Sequence, residues 1–160
     1  MRLALATVGQ MKAGPERDLF ARYAERANAG GKALGIGPLS VRELPESRAR
    51  RPEAHKLEEA RALLTCLEPG GRALALDETG KAITSAQFAA LIQQLRADGA
   101  KALTLFIGGA DGLDASVRAA SDAVLSFGAM TLPHQLVRVV LAEQIYRATT
   151  ILTGHPYHRA

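Results

Sequence analysis

The stretch that decides the fold is residues 102–112, which reads ALTLFIGGADG. Its first six residues are apolar or β-branched without a break, and such a run is typical of a strand buried on both faces of a parallel sheet. Glycine then recurs at positions 108, 109 and 112, and glycine lets the backbone turn tightly and approach a ligand closely. Residues 102–107 are therefore predicted to form a central strand that ends in a glycine turn, residues 108–112.

Strand and helix patterns alternate on both sides of this strand. Further strands are predicted at residues 3–8, 39–44, 72–76 and 124–127. The first predicted helix runs from Glu16 to the Gly30-Gly31 pair, and the second carries Leu57, Ala60, Leu64 and Leu67 on one face. The third begins after a capping box formed by Thr84 and Gln87. A short fourth helix begins at Asp114, and the last runs from His134 to Leu152. This alternation predicts an α/β fold with a mostly parallel sheet and helices on both faces, formed by one domain over residues 1–160.

Ligands of such sheets bind beyond the carboxyl ends of the strands. Three polar or glycine-bearing turns mark those ends, at residues 77–80, 108–112 and 127–133. The glycine turn has neither the GxGxxG spacing nor a following Lys-Ser or Lys-Thr pair, so an NAD or ATP site of the usual kinds is not expected.

The charge pattern favours an anionic partner without naming one. The formal net charge is +4 and the pI is about 9.6, which is compatible with nucleic-acid binding and also with a merely basic surface. Arg48, Arg50 and Arg51 lie in a polar segment, the arginine loop (residues 45–52), which is predicted to be mobile. These arginines are candidate RNA contacts, with a solvated surface as the alternative.

Cysteine content and hydropathy indicate the compartment. The single cysteine, Cys66, excludes an internal disulfide and cannot supply a thiolate metal cluster. No apolar run approaches the roughly 20 residues of a membrane span, and the apolar start is too short for a signal peptide. We therefore expect a cytoplasmic protein with no metal and no membrane partner.

The last predicted helix has almost no polar face. Apolar residues surround it, and only Arg138, Glu143 and Arg147 interrupt that surface. A helix of this kind must be buried, either by its own domain or by a partner subunit. Glu143 and Arg147 are four residues apart, so they either form a structural ion pair or present charges that reach RNA phosphate.

The C-terminal tail (residues 155–160) is rich in groups that can transfer protons, stack or bind phosphate: His155, Tyr157, His158 and Arg159. Chain ends are usually frayed and inert, which is the alternative interpretation. A metal site is possible in principle, but no third ligand stands at a sensible spacing.

Four segments together resemble one known family: LFIGG at 105–109, LSFGAMTLPHQLVRV at 125–139, AEQIYRA at 142–148 and YHR at 157–159. They are similar to the ribosomal RNA large subunit methyltransferase H family, which belongs to the SPOUT superfamily of trefoil-knotted methyltransferases. The resemblance runs from about residue 74 to the end, and before that only the pattern of elements agrees.

The resemblance implies a C-terminal trefoil knot, a rare exception to the rule against knotted chains. It also implies a homodimer with the last helix in its interface, and transfer of a methyl group from S-adenosylmethionine to N3 of a pseudouridine in 23S rRNA of the assembled ribosome. Carried over by position, the donor would bind Leu76, Gly108, Phe127, Gly128, Ala129, Met130, Thr131 and Leu132.

The imide N3–H of the acceptor must be lost, which requires a base or a charge that favours the anion. We hypothesise that His155, Tyr157, His158 and Arg159 orient and deprotonate the acceptor, in their own or the partner's site. Two other functions stay open: another SPOUT activity, such as ribose 2′-O- or guanine N1-methylation of tRNA, and a non-catalytic ribosome-binding protein.

Overall fold

The computed structural model describes residues 1–158 and shows strands and helices in strict alternation. The strands are β1 (Arg2–Val8), β2 (Leu39–Leu44), β3 (Arg72–Ala82), β4 (Ala102–Ile107) and β5 (Ala123–Ser126). The helices are α1 (Pro15–Lys32), α2 (Pro52–Leu64), α3 (Ser85–Ala97), α4 (Ala115–Ala119) and α5 (His134–Thr153).

The strands form one sheet in the order β2-β1-β4-β3-β5, and all of the pairings are parallel. Every residue of β4 is buried, as the unbroken apolar run predicted. The expected α/β fold with a parallel sheet is therefore confirmed, with β4 in the middle of the sheet.

The two faces of the sheet have different side chains, because successive residues of a strand point to opposite sides. Leucines such as Leu74 and Leu103 face one layer, where they pack with α1, α3 and α5. Smaller residues such as Ala6, Ala73 and Ala75 face the other layer and pack with α2 and α4. Helices thus cover both faces, as predicted, and the second layer rests on a row of alanines.

The predicted helix starts are confirmed, but two predicted helix ends are wrong, one of them because α2 ends at Leu64, before the predicted Leu67. The hydroxyl of Thr84 accepts from the Gln87 amide while the Gln87 side chain accepts from the Thr84 amide, so the capping box opens α3. Helix α1 instead continues through Gly30 and Gly31 to Lys32. A Cβ on Gly31 would lie 2.4 Å from the carbonyl oxygen of Ile36, so this glycine permits close packing and does not end the helix.

Strand β3 is longer than predicted, since it runs on through residues 77–82 with a register shift. Leu125 of β5 pairs first with Leu76 and then again with Lys81. Between these pairings, Gly80 crosses so near that a Cβ on it would lie 2.5 Å from the carbonyl carbon of Leu125. The chain segments cross closely here, and the trefoil knot implied by the resemblance stays a prediction.

Helix α5 is covered mainly by its own chain. Its buried residues include Leu141, Ile145 and Ala148, which belong to the core shared with α1 and α3. Leu136 remains exposed near the start of the helix. Packing within one subunit therefore buries most of this helix and largely explains why it lacks a polar face. No helix within residues 1–158 has the length and apolar content needed to cross a membrane.

Arg138 is the exception on this helix, and its predicted role as an RNA contact is wrong. The side chain is only 1% exposed. Its guanidinium donates to the carbonyl oxygens of Val8 and Gly9 at 2.7 and 2.9 Å and to Oε1 of Glu43 at 2.9 Å. A buried guanidinium that already has these partners fastens α5 to the carboxyl ends of β1 and β2 and cannot reach a phosphate.

Replacing this guanidinium tests its structural role. Arg138→Met leaves two carbonyls and a carboxylate without their donor, so we expect a loss of about 3 kcal/mol in the free energy of unfolding, measured in urea. The control is Arg61→Met on the exposed side of α2, which is expected to change that free energy by less than about 0.5 kcal/mol. Equal losses in the two variants would contradict the assignment.

Candidate active site

A cavity of about 450 Å³ lies at the carboxyl edge of the sheet, and we call it the edge cavity. Its walls come from the turns that follow β4 and β5 and from residues 76–79, which lie within the extended β3 although a turn was predicted at residues 77–80. Most of the residues predicted to hold a methyl donor line it: Leu76, Gly108, Phe127, Gly128, Met130, Thr131 and Leu132. Ala129 is exposed within the same loop and does not line the cavity. The structure thus brings together segments that are up to 56 residues apart.

The glycine turn forms one wall because its backbone doubles back on itself. The amide of Gly112 donates to the carbonyl of Gly109 at 3.1 Å. Gly112 has a φ of 80°, which L side chains rarely adopt. A Cβ on Gly108 would lie 2.7 Å from the carbonyl carbon of Gly112. Side chains at these positions would push the turn into the space that a ligand needs.

The loop of residues 127–133 separates the edge cavity from a second hollow of about 430 Å³. Ser126 fixes the start of this loop, because its hydroxyl accepts from the Gly128 amide at 3.1 Å and donates to the Gly128 carbonyl at 2.9 Å. Phe127, Gly128 and Leu132 border both hollows. Met130 is 83% exposed at the mouth. A ligand in the edge cavity would contact the backbone of this loop.

Charged groups that the sequence analysis did not select also line the edge cavity. The carboxylates are Asp77, Glu78 and Asp111, and the cations are Lys56 and Arg118. No sequence signal marks Arg118, whereas Asp77 and Glu78 could have been found from their position directly after a buried strand. Among residues 1–158, no three His, Cys, Asp or Glu side chains are grouped so that they could hold a metal ion.

Arg118 joins two walls of the edge cavity. Its Nη1 donates to the carbonyl of Leu113 at 2.6 Å and lies 3.3 Å from Oδ2 of Asp77. Partial burial opposes ionisation of Asp77, but hydrogen bonds from Thr79 and the charge of Arg118 outweigh it and lower the pKa of Asp77. Asp77 therefore stays ionised at neutral pH and presents a fixed negative charge beside the cavity.

Comparison with known proteins identifies the family. Residues 1–158 match a family model described as a predicted SPOUT methyltransferase. The chain belongs to the SPOUT methyltransferase family. Two relatives, from Methylocella silvestris and Xanthobacter autotrophicus, are each named ribosomal RNA large subunit methyltransferase H. They are 55% identical over 159 residues and 52% identical over 160, and each alignment covers at least 99% of both proteins.

A solved structure shows the same fold at lower sequence identity. The crystal structure of a probable methyltransferase from Bordetella pertussis matches this SPOUT methyltransferase with a TM-score of 0.52 and 17% identity. The match covers 92% of this chain and 95% of that one. At this identity the comparison supports the fold and says nothing further of the site.

The described part of the C-terminal tail, residues 155–158, does not line the edge cavity of this SPOUT methyltransferase. His155, Tyr157 and His158 line neither hollow. Tyr157 instead packs on Tyr146 of α5, with ring centroids 4.6 Å apart. Arg159 lies outside the described residues. Within one subunit, the three described groups are therefore not among the residues that line the pocket predicted to hold the donor.

Glu143 and Arg147 form an ion pair, which was one of the two interpretations left open. Nε and Nη2 of Arg147 donate to Oε1 of Glu143 at 2.9 and 2.6 Å. The Tyr157 hydroxyl donates to the same oxygen at 3.1 Å, and the Arg147 guanidinium carbon lies 4.9 Å from the centre of the Tyr157 ring. This cluster fixes the tail against α5, and a contact of either charge with RNA stays a prediction.

The cluster also sets the protonation state of Tyr157. Burial, hydrogen bonds to Tyr23 and Glu143 and the negative charge of Glu143 raise the pKa of Tyr157 to about 12. The phenol therefore keeps its proton at neutral pH. In this conformation Tyr157 can donate a hydrogen bond but cannot act as a phenolate base.

Absorbance titration of tyrosinate tests this assignment. Subtracting the curve of Tyr157→Phe from that of the wild type should isolate one phenol that titrates at about 12. Glu143→Gln removes the negative charge and is expected to lower that midpoint towards the ordinary tyrosine value of about 10. A Tyr157 midpoint at the ordinary value in the wild type would exclude the packed tail as the state in solution.

Proposed function

We propose that this chain transfers a methyl group from S-adenosylmethionine to N3 of pseudouridine 1915 in 23S rRNA, acting on the assembled ribosome in the cytoplasm as a homodimer. The observation that carries the proposal is the meeting of the register shift of β3 with the turns after β4 and β5 around one edge cavity. The full-length identity of 52–55% to relatives named for methylation of large-subunit rRNA supports this substrate.

The edge cavity suits S-adenosylmethionine in size and in chemistry. Its volume of about 450 Å³ lies in the range of small-molecule sites, which is about 300–1,000 Å³. Leu76, Gly108 and the loop of residues 127–132 would hold the donor, largely through backbone groups. The cavity is lined by the carboxylates of Asp77, Glu78 and Asp111 and by the cations of Lys56 and Arg118, so it offers partners for both signs of charge on the donor.

The bound donor supplies an electrophilic methyl group on its sulfonium, and the protein must align the acceptor nitrogen and remove its proton. Tyr157 keeps its proton at neutral pH and donates a hydrogen bond to Glu143, so it would hold the neighbouring groups in place and not act as the base. His155 and His158 are then the candidate bases. Arg159 would supply positive charge to favour the imide anion.

The position of the tail supports a site shared between two subunits. His155, Tyr157 and His158 do not line the edge cavity of their own chain, so we infer that they serve the edge cavity of the partner. Exposed apolar side chains on the loop of residues 127–133 and at the start of α5, Phe127, Met130 and Leu136, provide surface for this contact. In such a dimer neither subunit has a complete site alone.

Removing residues 155–160 tests the role of the tail. We expect methylation of ribosomes to fall at least about a hundredfold, the range of general acid–base catalysis, while donor binding by calorimetry is unchanged. Nucleoside mass spectrometry of the large-subunit rRNA identifies the methylated base. Deletion of Ala160 alone is the control. Full activity without residues 155–160 would remove the tail from the mechanism.

Mixed dimers test whether the tail acts across subunits. The first chain lacks residues 155–160, and the second carries Gly108→Val, whose side chain would strike the backbone of Gly112. A mixed dimer combines the intact cavity of the first chain with the intact tail of the second, so activity should return on mixing. If the mixture is as inactive as each variant alone, the tail acts in the site of its own subunit.

Salt dependence of ribosome binding tests the arginine loop. Arg48, Arg50 and Arg51 are exposed, and each phosphate contact contributes about 0.7–0.9 to the slope of log affinity against log salt. Changing all three to glutamine should flatten that slope by about two units. The control removes three exposed cations of α1, at Arg17, Arg22 and Lys32. If the two triple variants show the same slope of log affinity against log salt, the arginine loop is solvated surface that does not contact RNA.

A further inference from the structure

His55, near the start of α2, lies between the arginine loop and the glycine turn. Its Nε2 is 2.8 Å from the carbonyl oxygen of Ser47 in the arginine loop. Its Nδ1 is 2.8 Å from Oδ2 of Asp111 in the glycine turn. Asp111 lines the edge cavity, whereas Ser47 directly precedes Arg48. One side chain thus connects the segment proposed to bind RNA with the segment proposed to bind the donor.

Both ring nitrogens of His55 face acceptors. A neutral imidazole has one N–H and one lone pair, so one of the two contacts would then set a lone pair against an oxygen. The doubly protonated imidazolium satisfies both contacts. The contact of Nδ1 with Asp111 lacks hydrogen-bond alignment and is chiefly an attraction between charges. A positive charge on His55 therefore makes both contacts favourable, whereas the neutral ring satisfies only one of them.

The charged groups around His55 favour the same form. Glu59, on the same helix, has its Oε1 3.7 Å from Nε2 of His55. Partial burial lowers the pKa of His55, but the Ser47 carbonyl and the carboxylates of Glu59 and Asp111 together raise it above its ordinary value. The Ser47 hydroxyl also donates to the carboxylate of Glu58, which is a further contact between the arginine loop and α2.

Glu59 explains why a cation is needed at this position. It is 4% exposed, and its Oε1 accepts from the Ser47 amide at 3.1 Å. Its Oε2 has no hydrogen-bond partner among the described residues and lies against Gly109, where a Cβ would be 3.0 Å away. Without a positive charge nearby, two carboxylates would repel each other across the glycine turn. A cationic His55 compensates the negative charges of both Glu59 and Asp111.

We propose that His55, as an imidazolium, is a positioning residue that fastens the arginine loop to the glycine turn and so links RNA binding to donor binding. This link rests on the proposed function, whereas the fastening itself rests only on the contacts of His55. The arginine loop was predicted to be mobile, and these contacts instead anchor it at Ser47.

The sign of the pH dependence follows from the form of His55 that makes the contacts. The imidazolium contacts are present at low pH and are lost as the pH rises through the raised pKa of His55. The ordinary histidine value is about 6.5, so the loss begins above that pH. Donor affinity should therefore fall towards alkaline pH by more in the wild type than in a variant without His55.

Three variants of the full chain isolate the fastening. His55→Gln keeps a donor towards Ser47 but removes the positive charge, and Asp111→Asn removes the opposing charge. Glu53→Gln, exposed in the first turn of α2, is the matched control. We expect NMR titration to show the pKa of His55 raised in the wild type and in Glu53→Gln, and lowered towards the ordinary value in Asp111→Asn.

Accessibility of the arginine loop gives a readout that does not depend on activity. Below the pKa of His55, trypsin should cleave His55→Gln after Arg48 and Arg50 about fivefold faster than the Glu53→Gln control, as expected for loss of a partly exposed ion pair. S-adenosylmethionine binding by calorimetry should weaken by a similar factor. The double variant of His55→Gln and Asp111→Asn should add nothing to either single change.

The outcomes separate the fastening from the proposed function. An ordinary pKa for His55 in the wild type, or equal cleavage of His55→Gln and Glu53→Gln at every pH, would overturn the proposal. Faster cleavage of His55→Gln in a chain that neither binds S-adenosylmethionine nor methylates ribosomes would retain the fastening and reject the proposed function. Unchanged donor affinity in His55→Gln, with the wild type active, would reject the link alone.

Discussion

The buried guanidinium of Arg138 is the interaction on which the site depends. It binds carbonyls at the end of β1 and a carboxylate on β2, so the first turns of α5 are held over that side of the sheet. Strand β5 ends at the opposite edge, beyond β3 and β4. The loop of residues 127–133 joins these two points and must therefore cross the ends of β3 and β4. Leu76, at the register shift of β3, and Gly108, directly after β4, line the edge cavity that this loop closes.

The elements with strong local signals could be predicted from the sequence. Strand β4 is an unbroken apolar run, and α3 begins with a capping box whose two hydrogen bonds are local. The extension of β3 and the continuation of α1 through Gly31 could not be predicted, because both depend on close approach to distant segments. Gly31 packs against Ile36, and Gly80 crosses Leu125. Glycine at such a position has the same local signature as glycine at a helix end or in a turn.

The same distinction applies to the site. Its location followed from the rule that parallel strands present ligand sites at their carboxyl ends, and the predicted donor residues followed from the family resemblance. Neither the strand-end rule nor the family resemblance predicted the charged side chains around the cavity. Arg118 is 41 residues from Asp77 in sequence, and His55 is far from Asp111, so no local pattern pairs them. Arg138 was misjudged because an arginine on an apolar helix looks like an exposed charge until its buried partners are known.

The alanine row on one face of the sheet has an evolutionary consequence. Ala73 and Ala75 are fully enclosed beneath α2 and α4, and a densely packed interior leaves no volume for a larger side chain there. The leucine face can exchange side chains of similar size, such as isoleucine or methionine, with small repacking. Homologous sequences are therefore expected to diverge more within the layer of α1, α3 and α5, while Ala73 and Ala75 beneath α2 stay small.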